Sequence, residues 1–538
     1  MPKNILFIMC DQLRFDYLGC TGHPSIKTPH IDKLAERGVR FDRAYVQAPI
    51  CGPSRMSFYT GRYVASHGTT WNMAPIRVGE PNIGDHLNPL GMRTVLCGKT
   101  HAVPDATGMQ RLGIDADSDI GKKVGQAGFE VWDKLDGIHP PKSKKKPSHY
   151  NDYLRNKGFD GASPWQDGAI TVTDEDGNDT SGWLMKNVGK PAKVAAEDSE
   201  TAYTASRACE FIESAKDESW CLHLSFIKPH WPYVAPAPYH NRYSADEVMP
   251  AVRDDGEKAD PHPVYKAFQS HRFSRNFSRD EVRNTVIPVY MGLISQIDDE
   301  VGRVLAFLKA QGLSDDTMIV FTSDHGDYLG DHWLGEKEFF HEPAVKIPLI
   351  IYDPSPDAES TRGMVRRELV EAIDLLPTFV EYAGGEVPKH ILQGHSLMSL
   401  LRDRSEKVLR DVVISEYDYS CRLARETLGR DIPDCRLQMI FDGRWKMMRA
   451  EGFRPLLFDL ETDPQELEDL GANPDYKTHV DRLSERLLSW ATEYHARITR
   501  SDQDIEDFAG TEYHIGILIG FWDEEDLQDA AENDHGGN

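Results

Sequence analysis

Two apolar runs end in groups able to bind a cation. Residues 5–10, ILFIMC, lead directly into Asp11 and Gln12, and residues 317–322, TMIVFT, lead through Ser323 into Asp324, His325, Gly326 and Asp327. In an open α/β sheet, ligands bind beyond the carboxyl ends of the strands. Carboxylates gathered at such ends repel one another unless a cation offsets their charge. Either acidic pair alone reads equally as a helix cap or loop residue; the two together point to a metal site. Asp11, Gln12, Asp324 and His325 offer mostly hard oxygen donors, suited to Ca²⁺, Mg²⁺ or Mn²⁺, and the imidazole favours Mn²⁺.

A third element of chemistry lies in residues 48–61, APICGPSRMSFYTG. A disulfide has no use for Pro53 and Arg55 at those distances from Cys51, and a zinc site would want a second Cys or His two to four residues away. Pro53 favours a first helical turn, which places Cys51 at or just before a helix N-terminus, where the dipole favours negative charge. Arg55, one turn on, could steer an anion toward position 51. A thiolate nucleophile and an inert buried cysteine both satisfy this pattern.

The C-x-P-S-R run followed by Thr60-Gly61 resembles the signature of the type I sulfatases and the related phosphonate monoester hydrolases of the alkaline phosphatase superfamily. Tyr59 is a small departure from it. Five further blocks resemble the same family in the same order, besides the signature itself: residues 4–45, then GMRTVLCGKTH (91–101), KPHWPY (228–233), residues 322–351, and PLLFDLETDPQELEDL (455–470). The resemblance implies that a formylglycine-generating enzyme, reading the cysteine, proline and arginine, oxidises Cys51 to formylglycine. It implies one divalent metal, Ca²⁺ or Mn²⁺, held by Asp11, Gln12, the modified Cys51, Asp324 and His325.

By the same resemblance, the hydrated aldehyde attacks sulfur or phosphorus in line with the leaving group. Arg55, Lys99 and Lys337 stabilise the non-bridging oxygens. His230, aided by Lys337, protonates the leaving oxygen, and His101 deprotonates the second hydroxyl so that C–O cleavage expels the anion. Thr100 is a further substrate-binding candidate. Asn72 is either a substrate contact or a loop cap. Taken singly, His101 could be a cap, His230 a packing residue and Lys337 a surface lysine beside Glu336 or Glu338. Gln12 and His325 resemble the phosphonate hydrolase pattern, whereas Lys99 and His101 resemble the sulfatase one. The expected substrate is therefore a small anionic ester, a sulfate monoester first, with promiscuity toward phosphonate monoesters and phosphodiesters. A phosphonate monoester hydrolase or a choline sulfatase are the alternatives, the latter because GKTHAVPD (98–105) somewhat resembles that subfamily. A metal-stabilised scaffold and a phosphatase with an unmodified nucleophile are the competing classes.

The elements that must hold these residues follow from periodicity. Runs 5–10, 221–226, 317–322 and 348–352 read as buried parallel strands, and 30–38 and 289–312 as helices closed by glycine. This alternation is that of an α/β fold; the resemblance makes it alkaline-phosphatase-like, a large mixed, mostly parallel sheet flanked by helices. Residues 410–419 and 437–450, with a turn at Asp442-Gly443, and a helix near 478–494 read as a smaller C-terminal α+β subdomain with an antiparallel sheet. The expected domains are 1–385, with a loop-rich insertion at 105–195, then 386–500, then a tail at 501–538. The tail's apolar stretch HIGILIGFW (514–522) needs cover, from its own core or from a neighbouring subunit in a dimer or tetramer.

Composition narrows the partners. The 538 residues are 40% hydrophobic and 28% charged, with a formal net charge of −26, which argues against nucleic acid. The one basic run, PPKSKKKP (140–147), reads as a solvated loop. No apolar run approaches the roughly 20 residues that span a bilayer, and the N-terminal run lacks a signal-peptide cleavage site. The expectation is a cytoplasmic enzyme with no membrane partner, its eight scattered cysteines reduced.

Overall fold

Strand β1 (Asn4–Asp11) is buried along its whole length because it is apolar on both sides. Ile5, Phe7 and Met9 enter one hydrophobic cluster, and Leu6, Ile8 and Cys10 another, as the two-residue period of a strand requires. The computed structural model of the chain describes residues 3–140, 148–493, 497–508, 516–518 and 521–533. In it β1 is central to a nine-stranded sheet with β2 (Val39–Tyr45), β3 (Arg93–Gly98), β4 (Glu130–Lys134), β5 (Trp220–Pro229), β6 (Thr317–Ser323), β7 (Lys346–Tyr352) and the short β8 (Val365–Arg366) and β9 (Val370–Glu371). The order is β8-β2-β7-β6-β1-β5-β3-β4, with β9 also on β2.

The sheet is mostly parallel, as expected, but β7 is not. It runs antiparallel to both β6 and β2. A parallel return needs a crossover; the chain leaving β6 instead loops over the carboxyl end of the sheet and re-enters at that end. That same loop carries Asp324, His325 and Lys337. Strands β2, β3 and β4 were not among the expected ones, since VRFDRAY alternates with charge and β4 lies in the stretch taken for loop. That stretch, 105–195, supplies the β4 edge of the main sheet and a hairpin, Thr171–Thr173 with Asp179–Ser181.

Helix α1 (Pro29–Arg37) starts where the Asp298 carboxylate accepts the N–H groups of His30 and Ile31. Helix α2 (Cys51–Thr60) follows β2, and α3 (Glu200–Ser214) and the long α4 (Asp280–Ala310) pack on the face that carries Leu6 and Ile8. Pro288 lies inside α4 rather than before it.

The C-terminal sheet, β10 (Val413–Asp418), β11 (Arg436–Phe441), β12 (Trp445–Ala450) and β13 (Leu456–Asp459), is antiparallel throughout, with Gly443 at φ +94° in the hairpin. One face (Met439, Phe441, Met448, Phe458) joins the core that holds Phe7. The other (Ile414, Ile440, Met447, Leu457) is covered by Leu483, Leu487 and Trp490 of helix α5 (Lys477–Ala491). Lys446 of β12, fully buried, pairs with Glu342 and Glu466 at 2.7 Å each.

All eight cysteines are free thiols. Among the described residues no helix is long and apolar enough to cross a membrane. In the expected apolar segment 514–522, Ile517, Leu518 and Trp522 are exposed, Trp522 to 90%; residues 514, 515, 519 and 520, like the basic residues of 141–147, lie outside the described residues.

Candidate active site

Cys10 pairs with Ser323 across β1 and β6, so the two strands end level and release Asp11 and Asp324 side by side. The Gln12 N–H, in a residue with φ +66°, donates to Asp324 Oδ1 at 3.0 Å. Helix α2 delivers Cys51 at its first position, after the extended Ile50, and every residue of the helix is buried. Asn72 Oδ1 accepts the Gly52 N–H at 2.8 Å, so Asn72 caps the helix that carries Cys51. Ser54 Oγ donates to the Asp324 carbonyl at 2.5 Å.

Arg55 was expected on substrate oxygens. It is instead wholly buried and engaged with the protein: Nε with Asp324 Oδ2 at 2.7 Å, one terminal nitrogen with Asp11 Oδ2 at 3.3 Å, the other with the Lys99 carbonyl at 2.8 Å and Ser225 Oγ at 2.9 Å. A planar fork of donors suits this bracing of two carboxylates.

Beyond β3, Lys99 Nζ pairs with Asp11 Oδ2. Asp136 Oδ1 accepts the N–H groups of Thr100 and His101 at 3.1 and 3.2 Å and holds His101 at φ +57°. The Thr100 hydroxyl is buried and donates to Gln126 Oε1 at 3.1 Å. Lys337, no surface lysine, is 5% exposed; its Nζ donates to Gln12 Oε1 at 2.9 Å and lies 3.3 Å from Cys51 Sγ. His230 stacks on Trp231 with 4.9 Å between ring centres and donates from Nδ1 to the Trp231 carbonyl at 2.6 Å, leaving Nε2 turned toward Asp11 at 4.0 Å. His325 donates from Nδ1 to the Gly326 carbonyl at 2.9 Å, so Nε2 is the nitrogen that faces Cys51 Sγ at 3.2 Å and Asp324 Oδ1 at 3.7 Å.

The electrostatics of position 51 follow from this crowd of cations. Burial alone would push the Cys51 thiol up, but Lys337, Lys99 and His325, with a hydrogen bond from His101, hold it well below the ordinary thiol range. Burial and the neighbouring Lys337 push His230 down to about 4, against the pull of Asp11. Burial and Cys51 act to raise Asp11, yet Lys99, His230 and Arg55 keep it well below the usual carboxylate range. Lys337 is held above its ordinary value, burial notwithstanding, by Cys51 and Glu336.

The ligand atoms of Asp11, Cys51, Asp324 and His325 all lie within 4.8 Å of one another. Two carboxylates, an imidazole whose Nε2 is turned inward by the Nδ1 bond to the Gly326 carbonyl, and the position-51 side chain are a donor set that fits a hard divalent ion once that nitrogen gives up its proton. Gln12 Oε1 stands beside it on Lys337. His101 Nδ1 is buried without a hydrogen-bond partner among the described residues. Sequence reasoning missed Ser225, Asp136 and the pair Asp327–Tyr233, in which Asp327 Oδ2 accepts from Gln12 Nε2 and the Tyr233 hydroxyl, both at 2.6 Å. Asp327 and Tyr233 stand inside the quoted motifs; nothing local marked them as supports.

Known proteins carry the same arrangement of chain. Over 94% of its length the chain is 30% identical to the multifunctional alkaline phosphatase superfamily protein PehA of Trinickia caryophylli, of which it covers 97%. It is 28% identical to an arylsulfatase of Clostridium perfringens, over 91% of this chain and 94% of that one. The phosphonate monoester hydrolase SpPMH from Silicibacter pomeroyi superposes with a TM-score of 0.78 at 29% identity, covering 91% of this chain and 95% of its own. The C-terminal model of N-sulphoglucosamine sulphohydrolase matches residues 330–493, and the Sulfatase model matches residues 3–385. Because that last match takes in each strand end and loop from Asp11 to Lys337, the chain belongs to the sulfatase family.

Proposed function

We propose that the protein hydrolyses sulfate monoesters, aryl or small alkyl, through a formylglycine made from Cys51, and that it also accepts phosphonate monoesters and phosphodiesters. The observation that carries this reading is the convergence of Lys337, Lys99 and His325 on position 51, which favours an anion there. Formylglycine, once installed by its generating enzyme, would supply a hydrated aldehyde with one hydroxyl for attack and one for expelling the product. A divalent ion, Ca²⁺ or Mn²⁺, held by Asp11, Asp324, His325 and position 51 with Gln12 alongside, would supply charge stabilisation on anionic oxygens.

The chain's own residues do the remainder. Arg55 aligns Asp11 and Asp324. Lys99 and Lys337 hold the non-bridging oxygens in a water-poor site, where each donor is worth most. His230 offers Nε2 toward the leaving oxygen; it enters neutral and takes up a proton as the substrate's negative charge offsets Lys337. His101 removes a proton from the remaining hydroxyl. Sulfate monoesters, phosphonate monoesters and phosphodiesters are all singly charged and tetrahedral at the reacting atom, so one set of cations serves them.

Gln12 and His325 favour a second reading, a phosphonate monoester hydrolase first and a sulfatase second; the structural likeness to SpPMH supports it. The free thiols support a cytoplasmic enzyme, and the exposed tail supports a dimer or tetramer.

The deciding experiment compares 4-nitrophenyl sulfate with 4-nitrophenyl phenylphosphonate, for wild type and Cys51→Ala, with Mn²⁺ or Ca²⁺ added. Both activities fall to background in the variant and sulfate leads in the wild type. A phosphonate lead of about a hundredfold, roughly 2.7 kcal/mol of transition-state binding, establishes the second reading. Activity that survives in Cys51→Ala refutes the nucleophile.

A further inference from the structure

Lys337 sits between two carboxylates in sequence, Glu336 and Glu338, yet its ammonium points at Cys51 and Gln12. Something must keep those carboxylates from drawing it away. Glu338 is fully buried and holds φ +99°, and Glu336 holds φ +57°, conformations that non-glycine residues keep only where their surroundings fix them. Apart from one ion pair, neither Glu338 oxygen has a hydrogen-bond partner among the described residues. The partner in that ion pair is Arg422, on the loop that follows β10 in the C-terminal sheet. From the other side the Arg422 guanidinium lies 4.9 Å over the ring of Trp71. The next residue, Asn72, caps the Cys51 helix through Gly52. Arg422 thus ties together the segment that caps the nucleophile's helix and the segment that presents Lys337.

We propose that Arg422 is a positioning residue: by pairing with Glu338 it leaves Lys337 free to face the nucleophile, so the C-terminal sheet completes the active site without touching the substrate. An unpaired Glu338 would be a buried carboxylate adjacent in sequence to Lys337, in the same strained turn, and able to draw on its ammonium. Its kinetic readout rests on the ester hydrolysis proposed above.

The test is a double-mutant cycle on the converted enzyme with the same two 4-nitrophenyl esters. Arg422→Gln lowers kcat/KM at least tenfold on both esters alike, and Arg422→Lys recovers most of the loss. With Glu338→Gln already present, Arg422→Gln costs less than threefold, because no buried carboxylate remains to capture Lys337. The proposal is overturned if the loss persists in full in the Glu338→Gln background, as a purely structural role requires. It is equally overturned if the loss is confined to one of the two esters, as a direct contact with the sulfate or the phenylphosphonate group requires. Should Arg422→Gln fail to fold, Arg422→Met, which keeps the apolar stem and removes the charge, takes its place in the cycle. Calorimetric binding of inorganic sulfate to the same variants keeps the two readings apart. If the wild type turns over neither ester, the proposed function fails, while sulfate affinity weakened by Arg422→Gln and restored by Glu338→Gln still upholds the positioning role; unchanged affinity across the set refutes it.

Discussion

His230 carries its ring proton on the nitrogen that faces the Trp231 carbonyl, so the nitrogen facing the site is the one that can receive and return a proton. A general acid matters most when the departing oxygen is a poor leaving group. His230→Gln therefore slows an alkyl sulfate by roughly 10²-fold or more and 4-nitrophenyl sulfate far less, as turnover of the two substrates side by side will show. At this scale the sequence was readable where chemistry follows an apolar run: Asp11 and Asp324 announce themselves because a buried strand precedes each. Arg55 was assigned to the substrate because its partners, Asp324 and Ser225, lie far away in the chain. Asp136, Ser225 and Arg422 escaped notice for the same reason. Each acts through contacts with residues far away in the chain, and no local pattern encodes such contacts.

His223, in the middle of β5, shows what an element asks of a titratable group. It is wholly buried against Phe7, donates to the Phe7 carbonyl and faces the Tyr59 hydroxyl at 2.9 Å. Burial, and Arg55 after it, push its pKa down to about 3. The unfolded chain takes up this proton near pH 6.5 and the folded one only near 3, so the contribution to stability is complete above 6.5 and is lost as pH falls toward 3. His223→Gln preserves a donor and an acceptor without titrating. Between pH 6.5 and 5 the wild type loses about 2 kcal/mol more than the variant, measurable from urea midpoints at the two pH values.

Lys446 does comparable work between elements, neutralising Glu342 and Glu466 where β12 meets the main core. Lys446→Met leaves both carboxylates buried without that cation and lowers stability by roughly 3–5 kcal/mol, again read from the urea midpoint. Strands that are apolar throughout, such as β1 and β6, could be read from sequence. The direction of β7 could not, because PLIIY looks the same whichever end the chain enters. Its course is set by the site loop that precedes it.

On the scale of the whole molecule, Ile505, Ile517, Leu518 and Trp522 of the tail are exposed among the described residues. Deleting residues 501–538 converts the proposed oligomer to a monomer in sedimentation and leaves turnover of 4-nitrophenyl sulfate in place. A monomeric wild type would show that the tail serves something else.

Helix α2 has a further consequence for how the enzyme is made. Cys51 is 1% exposed, and Pro53 and Arg55 are sealed in with it. A modifying enzyme that reads those three side chains finds them only while the chain is still open. If Cys51 is converted as proposed, maturation is a race against folding, and a molecule that folds first keeps its sulfur. Unconverted protein refolded from urea beside the modifying enzyme gains aldehyde at position 51, whereas native protein given the same treatment does not; peptide mass spectrometry distinguishes the two. The aldehyde-to-thiol ratio of any preparation then records how long residues 51–55 stayed open before the core closed over them.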